Sequence, residues 1–169
     1  MLHCDFSDLQ PGQLQTDEEK IDVLLDLLAS GFEGDADLDA VRDAAIHHLL
    51  RFPRLPERTT AIMRSILGDM DDSDLVLNRR VAAIDVLAHM GPQAKPALAT
   101  LNDLLPFVES ERDFERWLAL RAARAMWKIS GDSEPAVEVA GKLAVDDEAW
   151  LRIHAAELLA EIGEGGRSI

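Results

Sequence analysis

The sequence is short of several things. It has one cysteine, Cys4, and no Cys-x-x-Cys pair. A single thiol closes no internal disulfide, and nothing in the spacing suggests a zinc site. Tyrosine is absent, and aromatic residues make up only 5% of the chain. Basic residues are few, 17 Lys and Arg against 32 Asp and Glu, for a formal net charge of -15. Such a field repels bare nucleic acid and anionic membrane surfaces. It suits a basic partner, although many acidic proteins have none. No stretch approaches the ~20 apolar residues that a membrane helix needs. The opening "MLHCDFSDLQPGQLQ" has no basic start and no long apolar run, so it does not read as a signal peptide. The expectation is a cytoplasmic protein with no membrane contact and no cofactor.

What is present is alanine and leucine, within a hydrophobic fraction of 47% over 169 residues. These are helix formers, and the length suits one domain with a real core. Four segments repeat one pattern around an alanine: Ala45, Ala83, Ala122 and Ala155, spaced 38, 39 and 33 residues apart. Three residues on come His48, Val86, Ala125 and Leu158; four on, Leu49, Leu87, Met126 and Leu159; seven on, Phe52, Met90, Ile129 and Ile162. Four before come Val41, Arg79, Leu118 and Leu151. These offsets share one face of an α-helix. A small residue at the anchor lets a neighbouring helix approach closely.

Each anchor segment follows another helical stripe. Ile21, Leu24, Leu25 and Leu28 form the first, and Ile62, Ile66 and Leu67 the second. The third, Ala97, Leu98, Leu101, Leu104, Leu105 and Val108, is the clearest; Val137, Ala140 and Leu143 form the fourth. Gly31, Pro53, Gly68, Gly91-Pro92, Gly131 and Gly163 punctuate the chain. Asp37, Asp74, Asp113 and Asp147 sit where they can cap the anchor helices. The reading is all-α, eight helices in four pairs. A period of about 33 to 40 residues marks an α-solenoid. The repeats run approximately over 17–53, 54–91, 92–131 and 132–163, after an N-terminal extension at 1–16 and before a tail at 164–169.

"VRDAAIHHLL", "RRVAAIDVLAHMGPQAKPAL", "LRAARAMWKISGD" and "LRIHAAELLAEIG" resemble HEAT repeats, particularly the short bacterial kind found in phycobilisome lyase-like proteins. The resemblance covers nearly all of 17–163. It implies an α-α superhelix whose second helices line a concave face. It also implies a ladder between repeats, from Asp37, Asp74 and Asp147 to Arg42, Arg80 and Arg152. Ala119 breaks the Arg column in the third repeat, where Arg116 or Arg121 must substitute.

Motifs of chemistry are sparse. His47 and His48 point about 100° apart on a helix, so they do not chelate one metal together. His48 falls in the inward column and reads as an interior, hydrogen-bonded histidine, with His47 solvated. No His-Glu pair exists, which disfavours the di-iron hydroxylases of the HEAT class. His154 can face the same groove as Arg121, but no Ser or Cys nucleophile lies near it in the repeat frame. "LLDLL" and "LNDLL" read as core stripes rather than ligand motifs, and "GEGG" lacks the strand and helix of a phosphate loop. No catalytic residue and no metal site is assigned.

Charge is unevenly spread. Arg and Lys concentrate on the second helices, acids on first helices and linkers. The candidate protein-binding groove is Arg116, Arg121, Arg124, Lys128 and Arg152 with Trp117 and Trp150 at its rim, suited to an acidic or phosphorylated peptide. The competing reading is that these cations simply pair with acids between repeats. The functional expectation is a non-enzymatic protein-binding or scaffold module. Alternatives are an acidic inhibitor of a basic toxin or nuclease, as an immunity protein is, and a HEAT-like DNA base glycosylase or bilin lyase-like enzyme. The last anchor helix carries Trp150, Ile153 and Ala160 off its core face. The C-terminal end is therefore expected to self-associate weakly, or to continue into a longer solenoid.

Overall fold

The structure, a computed structural model, describes residues 16–30, 36–68 and 74–165. Among these residues it is all-α, with no strand. The helices are α1 (Asp17–Ala29), α2 (Ala36–Leu49), α3 (Arg58–Leu67), α4 (Asp74–Met90), α5 (Leu98–Asn102), α6 (Asp113–Ser130), α7 (Glu134–Leu143) and α8 (Ala149–Gly165). No helix among the described residues is long and apolar enough to cross a membrane.

Local chemistry explains the boundaries. Thr16 starts α1 with a capping box: its Oγ1 accepts from Glu19 N–H at 3.2 Å, and Glu19 Oε2 accepts from Thr16 N–H at 3.0 Å. Gly131 ends α6 at φ 81°, and its N–H donates to the Trp127 carbonyl at 2.8 Å. Asp132 then accepts from Glu134 N–H at 3.0 Å, and Pro135 occupies the first turn of α7. The third stripe is not the continuous helix its periodicity suggests. It is a 3₁₀ segment (Gly91–Ala97), the five-residue α5, and a second 3₁₀ segment (Leu105–Glu109). Pro92, Pro96 and Pro106 remove backbone donors along this stretch. The burial survives the interruption, since Ala97, Leu101, Leu104 and Val108 remain in the core.

α1 packs on α2, α3 on α4, α6 on both α5 and α7, and α7 on α8. α4 also touches α2 and α6, and α6 touches α8; α3 touches α1 and the 91–97 segment, and α7 touches the 105–109 segment. Ala45, Ala83, Ala122 and Ala155 are all buried. The core forms two apolar clusters, and α6 feeds both. Leu118, Ala122, Ala125 and Ile129 face the N-terminal cluster. Ala119, Leu120 and Ala123 face the C-terminal one with α7 and α8.

Three side chains depart from the helical frame. Val41 is 54% exposed, and His48, on the same face of α2, is exposed rather than interior. Their counterparts Arg79, Leu118, Leu151, Val86, Ala125 and Leu158 are buried. The direction of the Arg79 bonds gives the reason, because they reach back to the helix of the preceding pair. These columns face backward, and no described element precedes the α1–α2 pair. Val137 is 44% exposed because α7 turns Ala136, Val139, Ala140 and Leu143 inward instead.

Several of the polar bonds between pairs share one span. Arg58 to Asp22, Arg64 to Thr100, Arg79 to Asp43 and Arg121 to Asp85 each join residues 36 apart. Buried Arg42 and Arg79 share buried Asp39. The bonds of Arg42, Arg79 and Arg121 run to Asp39, Asp43 and Asp85 on the second helices. The Asp74 side chain lies outside the described residues. Asp147 gives Arg152 a main-chain carbonyl, Arg121 bonds Asp85, and Arg116 bonds Asp146.

Candidate functional site

The seven candidate residues divide into two groups. Arg116 and Arg152 belong to the turn between α7 and α8. Arg116 Nε lies 2.9 Å from Asp146 Oδ2, and its Nη1 donates to the Ser110 carbonyl at 2.8 Å. Arg152 Nη1 donates to the carbonyls of Asp146 and Asp147 at 2.6 and 2.8 Å. Asp146 Oδ1 also accepts from Glu148 N–H at 2.9 Å. Arg116 is thereby paired with a carboxylate, and both arginines hold their donors against the turn rather than the cleft.

The other group surrounds a cleft of about 200 Å³ between α6 and α8. Its walls are Trp117, Leu120, Arg121 and Arg124 from α6 and His154, Glu157, Leu158 and Glu161 from α8. Helical spacing puts residues 117, 120, 121 and 124 on one face of α6, and 154, 157, 158 and 161 on one face of α8. Leu120 and Leu158 form an apolar floor that belongs to the core. At one end the Trp117 ring lies 4.5 Å from His154 and 5.6 Å from Trp150, centroid to centroid. The common register of Trp117 and Trp150, five residues before their anchors, predicts that proximity. The Arg121 guanidinium lies 5.2 Å from the Trp117 ring centre and bonds Asp85 on its other side. His154 Nδ1 lies 2.9 Å from Glu157 Oε2.

Glu161 closes the other end. One carboxylate oxygen is 2.9 Å from Arg124 Nη2 and accepts from Arg124 Nε at 3.0 Å. The second accepts from Lys128 Nζ at 2.6 Å. Burial pushes the Glu161 carboxyl up, but the Lys128 hydrogen bond and the charges of Arg124 and Lys128 outweigh it, holding Glu161 below the ordinary glutamate value. Lys128 also sits 4.3 Å from the half-buried Trp127 ring, which packs on the C-terminal cluster.

The cleft thus takes in Trp117, Arg121 and Arg124, borders Trp150 and Lys128, and leaves out Arg116 and Arg152. Reading the sequence missed Glu157, Glu161, Leu120 and Leu158 as lining. Glu161 had a signal: it lies 37 residues beyond Arg124, one repeat later. No group of three or more His, Cys, Asp or Glu side chains that could hold a metal ion occurs among the described residues. No protein-family model, curated protein or solved structure matches the chain.

Proposed function

We propose that the chain is an α-solenoid of four HEAT-like helix pairs, and that it binds a partner polypeptide in the α6–α8 cleft without catalysing a reaction. The row of α2, α4, α6 and α8, with polar bonds repeating at a span of 36 residues, supports the repeat architecture. One observation carries the binding reading: Arg124 and Lys128 already grip a carboxylate, that of Glu161, at one end of a cleft whose other end holds the half-buried Trp117 and Trp150 rings. A partner's carboxylate or phosphate exchanged for Glu161 keeps the same charge-assisted bonds. Trp117 and Trp150 then supply the apolar contact typical of interface anchors. An acidic or phosphorylated peptide fits this chemistry.

The test is an array of acidic and phosphorylated peptides, with hits titrated by tryptophan fluorescence. Trp117→Ala and Arg124→Gln should each weaken binding at least about tenfold while circular dichroism stays unchanged. Glu161→Gln should tighten it by releasing the two cations. Binding indifferent to all three substitutions would place the partner elsewhere and sink the proposal.

A further inference from the structure

A continuous line of polar and aromatic side chains crosses three second helices and ends on a histidine. Asp85 on α4 bonds Arg121 on α6. The Arg121 guanidinium lies 5.2 Å from the Trp117 ring centre. His154 on α8 lies 4.5 Å from that same ring, centroid to centroid, with the planes tilted by 46°. It also stands nearly perpendicular to Trp150, at 6.2 Å and 77°. Its Nδ1 lies 2.9 Å from Glu157 Oε2, and its side chain is 41% exposed, so water and protons reach it. Among the described residues lining the cleft it is the one histidine.

Imidazole changes its charge between about pH 5 and 8. Charging His154 acts on three neighbours together. The contact with Glu157 becomes a charge-assisted ion pair. The Trp117 ring gains a second cation within about 6 Å, from α8 as well as from α6. The third effect falls on the cleft. Across it, α6 presents Arg121 and Arg124, the first bonded to Asp85 and the second to Glu161. α8 itself presents Glu157 and Glu161, and α7 contributes no lining residue. Lys128 is held on Glu161, and the turn before α8 keeps Asp146 on Arg116. Two arginines and two glutamates balance along the lining while His154 is neutral. Glu161, held below the ordinary glutamate value, keeps its charge throughout that range. A protonated His154 therefore tips the lining to a net positive charge.

We propose that His154 makes the α6–α8 cleft proton-dependent: its protonation turns a charge-balanced cleft into a cationic one, so that an acidic or phosphorylated peptide is held more tightly in mild acid. The inference rests on the binding reading above and assigns its regulation. Linkage makes the effect reciprocal, because an anion that prefers the charged imidazole draws a proton onto His154 as it binds. A purely structural His154, a spacer between two indoles, has neither property.

Two measurements on the full chain test this. The first is tryptophan emission of the free protein from about pH 5 to 8.5, since an imidazolium against an indole quenches it. The expected result is a sigmoidal transition that His154→Gln abolishes and that His47→Gln, at an exposed site on α2, preserves. The second is calorimetric titration with benzenesulfonate, an aromatic anion of fixed charge over this range. It should bind at least about threefold more tightly at pH 5.5 than at pH 8. His154→Gln should bind at the weaker level at both pH values, and His154→Arg at the tighter level at both. Binding that responds to Arg124→Gln but not to pH would overturn this proposal and leave the binding reading standing. No binding at either pH would overturn both. A pH dependence that survives His154→Gln would assign the proton to another group and overturn the proposal as well.

Discussion

At the scale of single residues, Glu161 shows how a modest surface interaction acquires a pH signature. It is one carboxylate shared by two cations, one-third exposed on its side chain. Pairs at that exposure contribute about 0.5–1 kcal/mol in all. The folded state holds the Glu161 carboxyl below its ordinary value of 4.5. Its stabilisation is therefore complete above that ordinary value, and it is lost as pH falls through the lower folded value. Glu161→Gln should lower the melting temperature by about 1–4 °C at neutral pH. Below about pH 4 the gap should close progressively, since a protonated glutamate and a glutamine are nearly isosteric and equally neutral. Thermal scans of both proteins across this range are the check. A gap that widens on acidification would contradict the assignment.

At the scale of an element, the helix ends decide more than the helix interiors. α6 has 18 residues and stops at Gly131, whose φ of 81° an L side chain rarely adopts. Nothing lies within 4 Å of where a Cβ would stand, so a substitution there tests backbone conformation alone. Gly131→Ala should cost about 1 kcal/mol, and Gly131→Asn less, because asparagine tolerates the left-handed region. Equal losses in chemical denaturation would mean that something other than φ is at stake. Gly91, at φ 58°, plays the matching role after α4. There Pro92 and Pro96 follow within five residues, and the chain enters 3₁₀ geometry rather than a full helix. The apolar spacing from Ala97 to Val108 reports burial faithfully and helical continuity poorly, because periodicity is blind to missing N–H donors.

At the scale of the whole molecule, α6 is the joint. It contributes buried side chains to both apolar clusters, while α1 and α8 each contribute to one. In the linear stack proposed above, stability is the sum of each unit and its neighbours, so elements with neighbours on both sides open last. Amide hydrogen exchange should find the slowest protons on α6, followed by α4, and faster exchange on α1 and α8. Protection of α1 equal to that of α6 would rule out a linear arrangement of cooperativity. The terminal pairs show the same logic in their surfaces. Val41 and His48 lie in columns that bury against a preceding pair, and Ile153 in one that buries against a following pair. Each stands open where the described neighbour is missing.

The amino-acid order alone determined the helical class, the pairing of helices, the four buried alanines and the proximity of Trp117 to Trp150. All of these follow from the angular spacing of residues on a helix and from anchors recurring 33 to 39 residues apart, which are local and repetitive properties. It also marked where cations collect, on α6 and the start of α8. Only the tertiary structure decided what those cations do. Arg116 and Arg152 turn onto the carboxylate and carbonyls of residues 146 and 147, and Arg121 onto Asp85. Arg124 and Lys128 converge on Glu161. A long flexible side chain can reach any of several acids from one Cα position, and the choice depends on which neighbour the helix stacking brings within about 3 Å. Exposure at the ends was decided in the same way. His48 and Val86 hold equivalent places in the repeat, and only the presence of a described pair before one of them buries it.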